Sequence, residues 1–578
     1  MNQRNVLLAV VLSAVLLLGW DALVGYLYPG SRNPVAQKID TPAEQVAADP
    51  ATVKHTRTGG LDAATMAIEK RDLKTALAGG GRVPIDAPRL AGSINLATGA
   101  IDDIVLKTYR ETVEKGSDPV RLFSPAGTPA QQFAEFGFLA NGARLPAGPW
   151  QADGARLTPA TPVTLSKQAG GLTYRIRFSI DDQFMIRAEQ RVDNTGAAGA
   201  VIQPYALINR TDRTASLDQW VAHSGPMGVF GGKADYDIDY NCAASWFSCT
   251  GLRESKVVTP EGRVGWTGFT DIYWLSALVP QAGSQATAAF RALGNSLYRA
   301  DLFYAPVTLA PGTALRHTTQ LFAGAKESTV LEKYEAAGVS QFSFAIDWGW
   351  FGWFVRPFLW LLQQLFHLVG NFGVAIICMT IVVRAALFPI AQKGFASMAA
   401  MKAVQPKMKD IQARFKDDKV RQQQEMQKLF QSEGVNPLAG CLPMLLQAPI
   451  LYALYKVFVL AIDMRHQPFV LWIKDLSAPD PAHVLNLFGL LPFTPPSFLA
   501  IGVLALMLGV TMWLTFKLNP APADPVQQQM FAIMPWVLMF VMAPFAAGLL
   551  LYWTTSNVLT IAQQKYLYAK HPQLKKAV

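Results

Sequence analysis

The sequence predicts a multi-pass α-helical membrane protein that carries a large all-β domain outside the membrane. Of the 578 residues, 51% are hydrophobic and only 16% are charged, whereas a soluble domain usually has about 25% charged residues. Apolar runs of spanning length lie near the N-terminus and in the C-terminal part of the chain, and none lies between them. The region between them alternates apolar and polar residues, as strands do. The net charge of +10 suits contact with nucleic acid, ribosomes or anionic lipid.

Residues 1–28 are predicted to form an N-terminal membrane anchor. Val6–Tyr28 is apolar apart from Asp21, and Arg4 precedes it. A cleaved signal peptide is the alternative, because Val6–Leu18 has the length of a signal peptide's apolar core. The apolar run resumes after Asp21, so we expect an uncleaved helix.

Residues 29–89 are predicted to be a flexible linker, and residues 90–341 a β-sandwich. The linker is rich in Ala, Pro, Gly and Thr and contains a run of three glycines, a composition typical of a tether. Short alternating runs then follow, such as Thr173–Ile180 and Phe184–Val192, which are separated by a polar turn. Two such runs around a turn predict a β-hairpin, and their recurrence predicts a sandwich.

Residues 342–578 are predicted to form a membrane-embedded core. An amphipathic helix on the outer membrane surface comes first, at 350–367. Five spans follow, which with the anchor make six, at 371–390, 437–462, 497–517, 529–543 and 546–567. A polar helical hairpin, 392–432, separates the first two of these spans, and the chain ends in a basic tail, 568–578.

The distribution of basic residues predicts the orientation of the spans. Residues 391–434 contain nine Lys or Arg against five Asp or Glu, whereas residues 463–496 contain two against three. Basic loops stay in the cytosol. The hairpin and both termini are therefore expected in the cytosol, and the β domain and the 463–496 loop outside.

Arg384 is the residue in the apolar spans that most needs an explanation. It lies twelve residues after Phe372, about 18 Å along a helix, where an arginine costs roughly 2.5–3.5 kcal/mol. We therefore expect it to face a wet cavity between helices. Thr380 precedes it by one turn, Gln447 and Ser556 occur on other spans, and none of the five C-terminal spans contains an acidic residue. Snorkelling of its side chain to the cytosolic surface is the alternative.

The cytosolic hairpin carries four methionines that could capture apolar segments of other proteins. Methionine side chains adapt to varied partners. The residues are Met398, Met401, Met408 and Met426. The alternative is a solvated hairpin whose two helices pack on each other.

Two cysteines of the outer region could form a local disulfide. Cys242 and Cys249 lie where the compartment is oxidising. Two free or buried thiols are the alternative, since the sequence does not give the distance between them.

The sequence contains no motif for catalysis, for a cofactor or for a metal. Phosphate-binding, dinucleotide-binding, nucleophile-elbow and zinc-protease patterns are all absent. The seven histidines form no metal-spaced pair. We therefore expect neither an enzyme nor a cofactor. Trp246, Trp266 and Trp274 could offer a face for sugar binding, but packing within the β domain is the commoner role of tryptophan.

Several sequence blocks resemble the YidC membrane-protein insertases of the YidC/Oxa/Alb family, in the Gram-negative form with a large periplasmic domain. The most specific block is Asn436–Tyr455. Others in the core are Phe469, Trp472–Ser477, Asp480-Pro481, Asp524-Pro525, Met534-Pro535 and Ser556-Asn557. In the outer region they are Gly92–Leu96, Tyr109–Thr112 and Tyr273–Leu275.

The resemblance implies an insertase of the bacterial inner membrane that helps nascent proteins insert and fold. It implies a β-supersandwich outside and a hydrophilic groove that contains Arg384 and opens to the cytosol. The other matching groove positions are Thr380, Gln447, Tyr552, Trp553 and Ser556. Many relatives have tyrosine at the position of Trp553, and tryptophan lacks a hydroxyl acceptor, so a polar role there is in doubt.

The implied partners are nascent membrane proteins, the Sec translocon, the ribosome and lipid, with no role for DNA. The basic tail and the hairpin would contact the ribosome, although the tail could equally serve only as a positive-inside anchor. The alternative functions are a periplasmic glycan-binding module on a membrane anchor and a small-solute transporter. A transporter is disfavoured, because five spans and a polar hairpin do not divide into two repeats.

Overall fold

The computed structural model describes residues 72–211, 223–240, 250–294, 296–416, 418–434, 442–489, 491, 500–518 and 525–570. The predicted anchor and most of the predicted linker lie outside these residues. The described chain has a β domain followed by a helical part.

The β domain contains twenty-two strands within the described residues. In chain order they are β1 (Arg82–Asp86), β2 (Leu90–Asn95), β3 (Ile101–Arg110), β4 (Pro119–Phe123), β5 (Gln132–Ala140), β6 (Ala143–Arg144), β7 (Gln151–Ala152), β8 (Val163–Ala169), β9 (Leu172–Ile180), β10 (Met185–Asn194), β11 (Ala200–Thr211), β12 (Gly225–Phe230), β13 (Lys233–Asp235), β14 (Ile238–Asp239), β15 (Thr250–Gly251), β16 (Val257–Val258), β17 (Val264–Thr270), β18 (Trp274–Pro280), β19 (Ala286–Gly294), β20 (Leu297–Tyr304), β21 (Val307–Leu309) and β22 (Ala314–Ala325).

Twenty of these strands form two large antiparallel sheets, and β14 and β15 pair with each other in parallel. The first has the order β1-β2-β3-β5-β11-β20-β19-β16, with β4, β6 and β21 paired at its margins, and the second has the order β13-β12-β17-β18-β22-β10-β9-β8-β7. Aromatic side chains join them, since the ring centroids of Phe136 and Phe178 lie 5.7 Å apart and those of Phe138 and Tyr174 lie 5.4 Å apart. The predicted β-sandwich is therefore confirmed.

The predicted hairpin is strands β9 and β10. Ile186 pairs with Ile180, and the register continues to Asn194 and Leu172. Alternate residues of β9 are buried, which matches the period of two in the sequence. The Asp181 carboxylate stabilises the turn by accepting hydrogen bonds from the backbone N–H groups of Gln183 and Met185, at 2.9 and 3.0 Å.

The β domain begins earlier than the sequence predicts. Strand β1 lies inside the segment expected to be a linker, and it pairs with β2 along its whole length. Pro84 made this segment resemble a tether. Because β1 is an edge strand, a residue without an N–H is tolerated there.

The described helices include one short helix in the β domain and eight that follow its last strand. They are α1 (Leu252–Ser255), α2 (Ser328–Ala336), α3 (Gly352–Val369), α4 (Phe372–Arg414), α5 (Lys419–Ser432), α6 (Leu442–Leu460), α7 (Val503–Leu518), α8 (Pro525–Met542) and α9 (Ala547–Lys570).

The helices agree with the predicted order but differ at their boundaries. Helix α3 is the predicted amphipathic helix, with Val355, Leu359 and Leu362 on its buried face. Helix α4 continues for 43 residues from the first C-terminal span into the hairpin, so these two predicted elements are one helix. The two helices of the hairpin meet between Arg414 and Lys419, and the Asp418 carboxylate caps α5 by accepting from the Arg421 N–H at 3.0 Å.

One helical segment of the described chain is long and apolar enough to cross a bilayer on those criteria alone. It is Phe372–Gln392, with 21 residues. Three shorter apolar helical segments are Gln447–Leu460, Val503–Leu518 and Gln528–Met542.

The β domain contacts the helical part through Arg465, in the loop after α6. Its guanidinium donates to the backbone carbonyls of Arg110 and Glu111, at 2.8 and 3.2 Å. The same guanidinium carbon lies 5.2 Å from the ring centroid of Trp274. These contacts hold the β3–β4 connection against the outer face of the helices.

A charged cluster is buried within the β domain. Arg210 is 0% exposed, and its Nη2 lies 2.7 Å from each carboxylate oxygen of Asp271. Lys326, which follows β22, is 3% exposed and donates to the Thr270 hydroxyl at 3.0 Å. Burial lowers the pKa of Lys326 to about 8, although the charge of Asp271 acts in the opposite direction.

Lys326 is expected to make stability depend on pH. Its ordinary pKa is 10.5, so between pH 8 and pH 10.5 the unfolded chain binds more protons and this contribution to stability rises with pH. Lys326→Met should stabilise the protein at pH 7 by up to about 3 kcal/mol and remove this rise. Thermal unfolding of the full-length protein at pH 7 to 10 measures both effects.

The exposed Lys333 supplies the matched control. Lys333→Met should leave the midpoint and its pH dependence close to those of the wild type. If Lys326→Met unfolds at the wild-type midpoint across this pH range, burial of the Lys326 ammonium does not destabilise the folded protein.

Candidate functional site

Arg384 is a residue of helix α4, and its side chain reaches helix α9 on the inside of the helical part. Its Nε donates to the Ser556 hydroxyl at 3.0 Å, and its Nη2 contacts the same oxygen. Ser556 is 0% exposed, whereas Arg384 is half-buried. The guanidinium therefore turns toward another helix.

A second polar contact brings helix α6 to the same place. The Gln447 amide donates to the Tyr552 hydroxyl at 2.8 Å. Tyr552 and Ser556 are four residues apart on α9, so they lie on one face of that helix. Arg384, Gln447, Tyr552 and Ser556 are named here the groove cluster, and they come from three helices.

Thr380 and Trp553 are placed differently from these four residues. Thr380 is 0% exposed, and its hydroxyl donates to the Ile376 carbonyl of its own helix at 2.7 Å. It lies one turn from Arg384 as predicted, but the structure gives its hydroxyl an intrahelical partner. Trp553 is half-buried and packs against the apolar core, in keeping with the doubt about a polar role.

The groove cluster contains one cation, Arg384, and three neutral polar side chains, and it contains no carboxylate. No acidic residue occurs in Phe372–Gln392 or in helices α6 to α9. Among the described contacts of Arg384, the hydrogen bonds go to Ser556. An arginine held between helices in this way can attract an acidic group that enters from outside.

The outer end of the helical part is closed by the loop after α6. Gly373 lies so close to Phe469 that a Cβ there would approach its ring to 2.0 Å, and the Asn371 amide donates to the Phe469 carbonyl at 3.1 Å. The Asp480 carboxylate accepts from the Trp472 indole at 3.0 Å and from the Leu504 N–H, near the start of α7, at 2.8 Å. The loop thus packs over the helix ends on the side opposite the hairpin.

Sequence reasoning missed a buried cation on the helices in addition to Arg384, namely Lys456 of α6. It is 3% exposed, and its ammonium donates to the Asp347 carbonyl at 2.9 Å, with the Asp347 carboxylate 3.9 Å away. The signal was a single lysine in an otherwise apolar helix. Its partner, just before α3, was not predictable from that signal.

The methionines of the hairpin divide into two groups. Met408 is 8% exposed and packs with Met426 and neighbouring apolar residues between α4 and α5. These two side chains pack between the helices of the hairpin, as the self-packing alternative predicted, and Met426 is half-buried there. The side chains of Met398 and Met401 lie outside the described residues.

The remaining candidates from the sequence lie elsewhere. Cys242, Cys249 and Trp246 fall outside the described residues. Trp266 is 0% exposed and meets the Phe342 ring edge-on at 5.6 Å, so it packs in the core and offers no surface to a sugar. Within the described chain, no group of three or more potential metal ligands is close enough to hold an ion.

Comparison with known proteins gives matches over nearly the whole chain. A family model described as 60Kd inner membrane protein matches residues 364–575, and one described as YidC periplasmic domain matches residues 82–361. The second match starts at the first residue of β1. The chain is thus an inner-membrane protein with a periplasmic β domain.

Curated relatives match at high identity. Membrane protein insertase YidC of Beijerinckia indica subsp. indica is 41% identical over 588 residues, which cover 98% of this chain and 96% of the relative. The YidC of Zymomonas mobilis subsp. mobilis is 40% identical over 576 residues, which cover 99% and 96%. A crystal structure of an active YidC insertase is 16% identical, with coverage of 86% of this chain and 97% of that chain and a TM-score of 0.36.

These relatives are named as insertases and not as enzymes, which confirms the function class that the resemblance implied. Identity of about 40% over almost their full length shows that this chain belongs to the YidC family of membrane protein insertases.

Proposed function

We propose that this chain inserts nascent proteins into the inner membrane through a groove that contains the groove cluster. The observation that carries the proposal is the position of Arg384, which is held by Ser556 between two helices and has no acidic residue on the neighbouring spans. The half-buried Trp553 is assigned to the groove wall, where it would contact an apolar segment, and the fully buried Thr380 to the helix packing behind that wall.

The proposed topology has six spans, with both termini and the hairpin in the cytosol. The excess of Lys and Arg in residues 391–434 supports it. The five C-terminal spans correspond to the first half of α4 and to helices α6 to α9, and the sixth is the predicted anchor at 1–28. Residues 242 and 249 would then lie in an oxidising compartment, where a disulfide between the two cysteines can form.

In the proposed mechanism, the acidic outer tail of a substrate enters the groove from the cytosol. Arg384 attracts the tail and replaces part of its hydration, so less of its path lies in hydrocarbon. The apolar segment of the substrate moves into lipid, and burial of about 20 apolar residues drives the process. No bond is made or broken, and no nucleotide is needed.

The proposed partners are nascent membrane proteins, the Sec translocon, the ribosome and membrane lipid. Lys565 and Lys570 begin the basic C-terminal end, which suits rRNA phosphates. Met398 and Met401 of the hairpin are proposed to contact emerging apolar segments. Met408 and Met426 take the structural role described above.

The direct test is reconstitution of the purified protein into liposomes. We expect it to insert a small single-span protein with a short acidic outer tail, without other factors, as judged by protection of that tail from added protease. Empty liposomes are the control. If insertion does not exceed that of empty liposomes, insertion by the protein alone is wrong, and a role only together with the translocon remains.

A further inference from the structure

A cavity of about 910 Å³ lies between the β domain and the outer face of the helical part. Its walls come from the β3–β4 connection, the start of α2, helix α3 and the loop after α6. It is separate from the groove cluster, because none of the groove residues lines it. The proposed mechanism does not use it.

Asp463 supplies to this cavity a carboxylate that forms no ion pair among the described residues, although the ring of His367, which also lines the cavity, acts on it electrostatically. Its Oδ2 accepts from the Gln363 amide at 3.2 Å, and none of the ion pairs in the described chain includes it. The neighbouring Glu327 is already satisfied, since it pairs with Arg89 and accepts from the Tyr109 hydroxyl. Burial raises the pKa of Asp463, and the charge of Glu327 raises it further. An ammonium group beside Asp463 would relieve both effects.

The cavity also offers positive charge. Arg110 and Arg356 both line it, and neither forms an ion pair with a carboxylate in the described residues. Arg356 makes one long hydrogen bond, to the Ser343 hydroxyl at 3.4 Å. The cavity is thus lined by both acidic and basic side chains, which fits a ligand that carries an ammonium and a phosphate.

Helix α3, which borders this cavity, has the pattern of a helix that lies on the bilayer surface. Trp353, Trp360 and Leu368 are 71%, 61% and 80% exposed and lie along one face of the helix. Exposed tryptophans on an amphipathic helix are typical of the membrane interface. Trp360 also lines the cavity, as do Arg356 and Gln363 on the adjacent face. The face that meets lipid therefore borders the face that meets the cavity.

We propose that this cavity binds the headgroup of an amine-bearing phospholipid of the outer leaflet, with the ammonium at Asp463 and the phosphate at Arg356 and Arg110. The lipid enters beside Trp360 and joins the β domain to the membrane surface. A primary ammonium has three N–H donors for Asp463, whereas a choline headgroup has none and a glycerol headgroup has no positive charge.

The test uses the full-length protein in nanodiscs made from equal parts of phosphatidylethanolamine, phosphatidylglycerol and phosphatidylcholine. Native mass spectrometry measures the lipids retained after gentle release. We expect wild type to retain phosphatidylethanolamine about tenfold over the bulk ratio, as a charge-assisted hydrogen bond would give. Asp463→Asn should return the ratio close to bulk, and Arg356→Gln should reduce total retention.

The exposed Glu261 of the β domain provides the matched control, and Glu261→Gln should behave as wild type. If the wild-type protein retains the three lipids at their bulk ratio, the proposal is wrong whatever the variants do. Equal enrichment of phosphatidylglycerol would overturn the assignment of the ammonium, and so would an unchanged ratio in a folded Asp463→Asn protein.

Discussion

Arg384→Ala is expected to lower insertion of a substrate with an acidic outer tail by at least about tenfold, because it removes the charge-assisted contact of the groove. Arg384→Lys should retain most of the activity, since it keeps the positive charge. Lysine makes only a point contact with Ser556, so a modest loss is expected. The measurement is protease protection of the inserted tail in liposomes that contain equal amounts of each variant.

Two comparisons sharpen this experiment. Arg316→Ala removes an exposed arginine of the β domain and should leave insertion unchanged. A substrate whose outer tail has Asn and Gln in place of its acidic residues should depend less on Arg384. Equal insertion by wild type, Arg384→Ala and Arg384→Lys would show that hydration of the groove, and not the charge, lowers the barrier.

The second large effect is expected at the buried pair of Arg210 and Asp271. Arg210→Met leaves the Asp271 carboxylate inside the β domain without its guanidinium partner, and such a change typically costs about 3–5 kcal/mol. That is a large part of the stability of an ordinary domain. Lys326 lies close enough to Asp271 to offset some of this loss. Thermal unfolding of the full-length protein should show a clearly lower midpoint.

The double variant Arg210→Met with Asp271→Leu distinguishes loss of the ion pair from the cost of leaving one buried charge unpaired. Since both charges are then gone, we expect it to recover much of the lost stability. Arg316→Met is the exposed control and should change the midpoint little. A single variant as stable as the wild type would mean that the pair contributes nothing net to the fold.

Local patterns in the sequence were sufficient to predict much of the fold. The alternation in Thr173–Ile180 predicted β9 because side chains of a strand point to opposite faces in turn. The apolar run from Phe372 predicted the start of α4, where the Asn371 side chain accepts from the Val374 N–H. The rise per residue of a helix then gave the depth of Arg384 along α4. Strand β1 was missed, because proline and alanine suggested a linker and only the pairing with β2 makes it a strand.

The site was less predictable, because its contacts join distant parts of the chain. Arg384 and Ser556 are 172 residues apart, and Gln447 and Tyr552 are 105 apart. The resemblance to insertases named these positions, but it did not say which of them touch. It also did not reveal that Met408 and Met426 pack together inside the hairpin.

The sequence alone therefore determined the type of most main elements, the chain's family resemblance and the cation on the first C-terminal span that needs an explanation. Only the tertiary structure decided that Arg384 meets Ser556, that Lys456 meets Asp347 and that Asp463 faces a cavity without forming an ion pair among the described residues. The reason is physical. Periodicity and helix rise are properties of consecutive residues, whereas the partner of a buried polar group depends on how separate elements pack.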